Sequence, residues 1–246
     1  MSDIIQRCEN GVLQLSLNRP QKKNALSQQM YRQLTAALQQ AEHDDTVKVV
    51  LLQGSSDCFS AGNDLQDFLG AGELNSQHPT VQFLYQLAQF SKPLVAAVAG
   101  LAIGIGTTAL LHCDLVYAAD NARFQLPFTQ LGLCPEAGSS VLLPNAIGYQ
   151  RAAQYLLLGE AFGAAEALQL GLVNQVVSAP ELLALALQKA VKLASLPPDA
   201  VQSSKALLKR QHKTLTLETI AAELVQFQRL LNSAECQTRI AAFFQR

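Results

Sequence analysis

The stretch Lys92–Asp120, KPLVAAVAGLAIGIGTTALLHCDLVYAAD, decides how the rest of the chain is read. Leu94–Ala99 is a short apolar run rich in Val and Ala, the pattern of a buried strand. Gly100, Gly104 and Gly106 follow, and TTALLHC then has helix-forming residues and no breaker. Leu115–Ala119 is a second buried strand. The order is strand, Gly-rich turn, helix, strand. Glycines at a helix start let backbone approach a bound group closely. The first N–H groups of a helix have no partner inside it and lie at the positive end of its dipole. Such an end suits an anion, or an oxygen that becomes anionic during a reaction. Close packing of helix on strand is an equally good reason for the same glycines.

Working outward, GVLQLSL at 11–17 alternates apolar and polar residues and predicts a half-buried strand, broken by Asn18-Arg19-Pro20. QKKNAL is a loop carrying Lys22 and Lys23. Ser27 is placed to cap a helix that puts Met30, Leu34, Ala37, Leu38 and Ala41 on one face. VKVVLLQ at 47–53 is a buried strand. GSSDCFSAGNDL at 54–65 is a loop entering a helix, 67–79 is a mobile loop, and 81–90 is a helix. After Asp120, 123–125 is a short strand; 138–146, 149–158 and 164–170 are helices; 173–177 is a strand. From Pro180 the chain is nearly all helix, over 180–195, 198–212, 216–232 and 234–244. The predicted class is α/β, with a core over 1–179 and a C-terminal helical region over 180–246.

A 246-residue chain with 49% hydrophobic and 15% charged residues has the material for a sizeable buried core. Its formal net charge of −1 gives no field to recruit nucleic acid or an anionic membrane. No apolar run reaches the length of a membrane span, and MSDIIQRCENGVLQLSLNRP has no signal-like segment. Cys8, Cys58, Cys113, Cys134 and Cys236 are odd in number and widely spaced, with neither metal-ligand spacing nor a disulfide framework. Reduced thiols, a cytoplasmic location and no bound metal are expected. GLAIGIG has spacing like that of a dinucleotide-binding turn, but it begins at Gly100 rather than near the N-terminus. No Tyr has a Lys at the four-residue offset that short-chain dehydrogenases use. No Ser sits in a Gly-x-Ser-x-Gly elbow. His112, in the central helix, is expected to be a packed core histidine, and Asp114 structural.

CFSAGNDL (58–65), AVAGLAIGIG (97–106), CDLVYAADNARFQLPFTQLGLCPEAGSS (113–140) and GEAFGAAEALQLGLVNQVV (159–177) together resemble the crotonase superfamily, the enoyl-CoA hydratase/isomerase fold. Each motif is weak alone; their order and spacing are specific. Within the family, LPFTQLG, PEAGSS and LPPDAVQSSKALLKR (196–210) most resemble the peroxisomal-type Δ3,Δ2-enoyl-CoA isomerases. No appended acyl-CoA-binding domain of the kind some of those isomerases carry is expected. The resemblance implies a crotonase-like spiral of ββα units with a C-terminal helical region, and a homotrimer or dimer of trimers. It implies an acyl-CoA thioester as substrate, no other cofactor, and a role in fatty-acid degradation.

The resemblance also implies two main-chain N–H donors for the thioester oxygen, which map to Asn63 and Ile105. Substrate contacts map to Ala61, Gly62, Asp64, Leu65, Lys22, Ala25, Gly104, Thr108 and Phe128. A helix cap is an alternative duty for Asp64, and a solvated basic loop an alternative for Arg19, Lys22 and Lys23. Shifting a double bond from the 3- to the 2-position needs a proton removed at the α-carbon and one returned at the γ-carbon, and one carboxylate can do both. Glu136, in CPEAG, stands where such isomerases carry their catalytic Glu. Its apolar neighbours Phe128, Leu131, Leu133 and Cys134 would raise its pKa if they wall it in. Hydratases use two glutamates, and their places are taken by Thr108 and Phe128, neither a proton-transfer carboxylate. Isomerase activity is therefore expected to dominate. The alternatives are a hydratase or other crotonase-type reaction, and a non-catalytic acyl-CoA-binding protein.

Overall fold

Gly100 is where the chain changes sheets. A Cβ there would lie 1.7 Å from the Asp57 carbonyl oxygen, and its φ of +60° belongs to glycine. Only a bare backbone crosses at this point. In the computed structural model, which describes residues 2–69 and 72–244, this crossing recurs at each turn of the chain. The strands are β1 (Ile4–Glu9), β2 (Val12–Leu17), β3 (Val49–Gln53), β4 (Cys58–Ser60), β5 (Leu94–Val98), β6 (Leu101–Ile103), β7 (Leu115–Ala119), β8 (Arg123–Gln125), β9 (Ala161–Gly163) and β10 (Gln175–Val177). The large sheet runs β1-β2-β3-β5-β7-β10 and the small one β4-β6-β8-β9. The consecutive pairs β3/β4, β5/β6 and β7/β8 each give one strand to each sheet, which is the expected spiral.

The helices are α1 (Gln28–His43), α2 (Leu65–Leu69), α3 (Pro79–Gln89), α4 (Ile105–Thr108), α5 (Ser139–Ile147), α6 (Tyr149–Ala153), α7 (Ala164–Gln169), α8 (Ala179–Ala194), α9 (Pro198–Lys209), α10 (Lys213–Leu231) and α11 (Ala234–Phe243). Ser27 Oγ accepts the Met30 N–H at 3.3 Å, and the expected face of α1 is buried. Residues 70 and 71, in the loop expected over 67–79, lie outside the described residues. Among the described residues no helix is long and apolar enough to cross a membrane.

Three expectations are corrected. The Gly-rich turn does not run from β5 straight into a helix; the short strand β6 intervenes, and only α4 and one turn of 3₁₀ helix over Ala109–His112 follow. The 54–65 loop contains β4. The N-terminal hairpin β1–β2, turning at Asn10 and Gly11 with φ of 53° and 76°, was not expected.

The parallel strands of the large sheet are apolar on both faces because both are covered. Residues alternate between faces. Val49, Leu51, Val95, Ala97, Tyr117 and Ala119 face Leu182, Ala186 and Ala190 of α8. Val50, Leu52, Leu94, Ala96, Val98, Val116 and Ala118 belong to the larger core, with α1 and α3. α10 packs on α3 and α5.

Candidate active site

β4 and β6 are parallel neighbours, pairing Cys58 with Leu101 and Ser60 with Ala102. Their C-terminal ends therefore lie side by side, about 4.8 Å apart in the pairing direction. β4 leads into Ala61-Gly62-Asn63 and β6 into Gly104-Ile105. Gly62 has φ +95°, and a Cβ there would meet the Ile103 carbonyl oxygen at 2.9 Å; a Cβ on Gly106 would meet the Ser60 oxygen at the same distance. The two turns touch through bare backbone. Gly104, at φ 55° and ψ −119°, opens α4, and its carbonyl accepts the Thr107 and Thr108 N–H groups at 2.8 and 2.9 Å. Neither the Asn63 nor the Ile105 N–H has an acceptor among the described residues. Ile105 is only 1% exposed, so its side chain is core and its N–H marks the buried end of the pair.

The loop before α1 is laced to the first turn. Ala61 N–H donates to Lys23 O at 2.9 Å, Leu26 N–H to Gly62 O at 2.7 Å, and Asp64 N–H to Leu26 O at 2.9 Å. Asn24, buried and left-handed, donates from Nδ2 to Cys58 O at 2.9 Å and accepts the Arg19 N–H at 2.8 Å. Arg19 forms an ion pair with Asp64 at 2.7 Å and donates to Ala25 O at 3.0 Å. Asp64 also accepts the Gln66 and Asp67 N–H groups, so it caps α2 as the alternative reading foresaw. Lys22 and Lys23 are exposed on the same loop, Ala25 and Leu65 half-buried. Phe128 is buried in the core.

Glu136 is 4% exposed. Thr108, in α4, donates from Oγ1 to its Oε1 at 2.5 Å. Thr108 is three residues beyond Ile105 in the same short helix, so the helix that carries the Ile105 N–H also holds the Glu136 carboxyl. Burial pushes the Glu136 carboxyl up to about 8; the Thr108 hydrogen bond opposes this and the nearby Glu223 charge adds to it. The Glu136 backbone is held hard. Ala137 has φ 60°, rare for a residue with a Cβ, and Gly138 has φ 72°. Ala137 O accepts from His112 Nε2 at 2.7 Å, and Ser139 N–H donates to Glu136 O at 3.0 Å. A carbonyl can only accept, so His112 carries its proton on Nε2. Burial lowers its pKa to about 4 and it is neutral. Asp114 accepts the Leu94 N–H and pairs with Lys205.

Two neighbours were not singled out from the sequence. Tyr31, on α1, donates from its hydroxyl to Asn63 Oδ1 at 2.5 Å, and its pKa is raised by burial and then by the Glu136 charge. Glu223, on α10, accepts from Gly138 and Ser140. Each had a signal: a buried tyrosine hydroxyl needs a partner, and Glu223 interrupts the stripe Thr216, Ile220, Phe227, Leu231 at helical spacing. Among the described residues no three His, Cys, Asp or Glu side chains gather as a metal site. A buried carboxyl beside two free N–H groups is suited to moving a proton while a negative oxygen is held.

The family description Enoyl-CoA hydratase/isomerase matches residues 7–246. Over 249 residues the chain is 36% identical to enoyl-CoA delta isomerase 2 of Rattus norvegicus, covering 99% of this chain and 63% of that protein. The chain thus spans less than two thirds of that relative's length. It is also 36% identical to 2,3-dehydroadipyl-CoA hydratase of Escherichia coli K12, covering 100% of this chain and 97% of that one. The crystal structure of an enoyl-CoA hydratase/isomerase from Pseudoalteromonas atlantica T6c superposes with a TM-score of 0.96 at 42% identity, over 99% of this chain and 97% of that one. The spiral of ββα turns, the paired strand ends and the profile across nearly every residue agree: this chain belongs to the enoyl-CoA hydratase/isomerase family of the crotonase superfamily.

Proposed function

We propose that this protein is an enoyl-CoA isomerase, converting a 3-enoyl-CoA to its 2-trans isomer through a thioester enolate. The observation that carries this reading is a single available carboxyl among the described residues of the site: Glu136 is buried, and its one hydrogen bond among them comes from Thr108. The other carboxylate nearby, Glu223, has both oxygens occupied.

In the proposed reaction the thioester oxygen accepts the Asn63 and Ile105 N–H groups. Glu136 Oε takes a proton from C2, the electron pair moves onto the thioester oxygen, and the enolate is held by the two donors. The pair then returns to form the C2–C3 double bond while the C3–C4 electrons take the same proton at C4. Nothing is oxidised or reduced, and no resident cofactor is called for. Removing one such N–H donor elsewhere costs about 10²–10³ in kcat. A carboxyl with a pKa near 8 can both take and return the proton near neutral pH. The loop bearing Lys22 and Ala25, bonded to the Asn63 turn, and Leu65 are assigned to the CoA ester.

Hydration is the second reading, favoured by the similarity to the E. coli hydratase. Thr108 is not free to activate water, since its hydroxyl hydrogen goes to Glu136. A side-by-side ultraviolet assay with 3-enoyl- and 2-enoyl-CoA decides between them. The isomerase reading predicts faster turnover of the 3-enoyl ester; faster hydration of the 2-enoyl ester would overturn it.

A further inference from the structure

The turn that bears Glu136 is held by a side chain from α10. Glu223 is 8% exposed, on the buried stripe of α10. Its Oε2 accepts the Gly138 N–H at 2.6 Å, and its Oε1 accepts the Ser140 N–H at 2.9 Å and the Ser140 hydroxyl at 2.5 Å. Burial raises the Glu223 pKa above the usual carboxylate value, while the Ser140 hydroxyl and the Ser140 and Gly138 N–H groups pull it back toward the ionised form. Gly138 and Ser140 stand two and four residues from Glu136. The same helix fills the space beside Gly138, where a Cβ would meet Thr216 Cγ2 at 3.0 Å. Ala137 is left-handed, a conformation that a residue with a Cβ keeps only where the surroundings impose it, and the left-handed Gly138 follows it without strain. Glu223, with His112 on the Ala137 carbonyl, supplies that constraint.

The Glu223 charge also adds to the burial that raises the Glu136 pKa. The other titratable groups near Glu136 are Tyr31 from α1, Cys134 on its own loop and His112 from the 3₁₀ turn. Burial raises the Tyr31 hydroxyl well above its usual value and the Cys134 thiol to about 11, and lowers His112 to about 4. All three are neutral where Glu136 titrates. Lys205 and Lys209 lie a step further off, paired with Asp114.

We propose that Glu223 is a positioning residue for Glu136: its carboxylate clamps the 136–140 turn, and its negative charge adds to burial in favouring the protonated form of Glu136. The inference rests on the proposed role of Glu136, but half of its test needs no substrate. Two variants weight clamp and charge differently. Glu223→Gln keeps the reach, loses the charge and sets its NH2 against one of the two N–H donors; Glu223→Asp keeps the charge and falls one methylene short of bridging both donors. The protonated carboxyl band of Glu136 is followed by infrared titration, identified by its loss in Glu136→Gln. In Glu223→Gln the band should titrate at lower pH, with the acidic limb of kcat/KM moving the same way. In Glu223→Asp the titration should stay near that of the unaltered protein while kcat falls at least tenfold (roughly 1.4 kcal/mol) with KM little changed. A merely structural residue would lower stability without moving the titration.

A Glu136 titration and kcat equal to those of the unaltered protein in both folded variants would overturn the proposal. If Glu223→Gln does not fold, Glu223→Asp decides, and an unchanged kcat in it refutes the clamp. If the unaltered protein shows no isomerisation, the function reading fails separately, and the infrared shift still tests the charge.

Discussion

Replacing Thr108 with Val keeps the shape of the side chain and deletes the one hydrogen bond that Glu136 accepts from it, at 2.5 Å between two buried groups. A hydrogen bond to a charged group contributes about 1.5–3 kcal/mol, and 1.36 kcal/mol corresponds to one pH unit. The bond favours the ionised form, so its loss raises the Glu136 pKa further above about 8, by roughly one to two units. Proton removal from C2 needs the ionised form. The acidic limb of kcat/KM for 3-enoyl-CoA should therefore move to higher pH by that amount. At pH 7 the rate should fall about ten- to a hundredfold, and it should recover as pH approaches the new limb. The assay is the ultraviolet rate of 2-enoyl-CoA formation over a pH series. A limb that coincides with that of the unaltered protein, whatever the absolute rate, would refute the reasoning.

Two other outcomes are expected. Gly104→Ala puts a Cβ at φ 55° and ψ −119°, where it meets no neighbour but is strained by about 1–3 kcal/mol. Rotating the peptide that carries the Ile105 N–H relieves this, so kcat should fall by about tenfold or more while circular dichroism is unchanged. Undiminished kcat would show that this N–H does no work. Glu136→Gln should change the pH dependence of stability. A carboxyl at about 8 in the folded chain and about 4.3 unfolded contributes stability that is full below the unfolded value and lost as pH rises through the folded one. Gln cannot ionise, so the variant's melting temperature should gain on the unaltered protein between about pH 4.5 and 8, then level off. A constant difference across that range would contradict the buried, protonated carboxyl.

The larger layers of the fold were legible because buried parallel strands are written as apolar runs: VKVVLLQ, LVAAVA and LVYAA became β3, β5 and β7. The amphipathic face of α1 and its Ser27 cap were equally plain. Of the small sheet only β8 was expected; β4, β6 and β9 were not, because with three residues each they are too short for periodicity to register. Gly100 carried a signal that pattern alone does not interpret, since its need for a bare backbone depends on Asp57, far away in the chain. Asn10-Gly11 was a missed hairpin turn, because β1 is exposed at all but Ile4 and shows no alternation. At the site, motif order pointed to Asn63, Ile105 and Glu136. Tyr31 and Glu223 escaped because their partners lie 32 and 85 residues away, and only the fold brings them together.

The central claim is that one buried carboxyl moves the proton. Its most direct test is single-site replacement of Glu136 by Gln, with turnover of 3-enoyl-CoA and binding of a non-reactive CoA ester measured on the same preparation. The account predicts a loss of about 10²–10⁴ in kcat with the ester still bound. Turnover equal to that of the unaltered protein would contradict it.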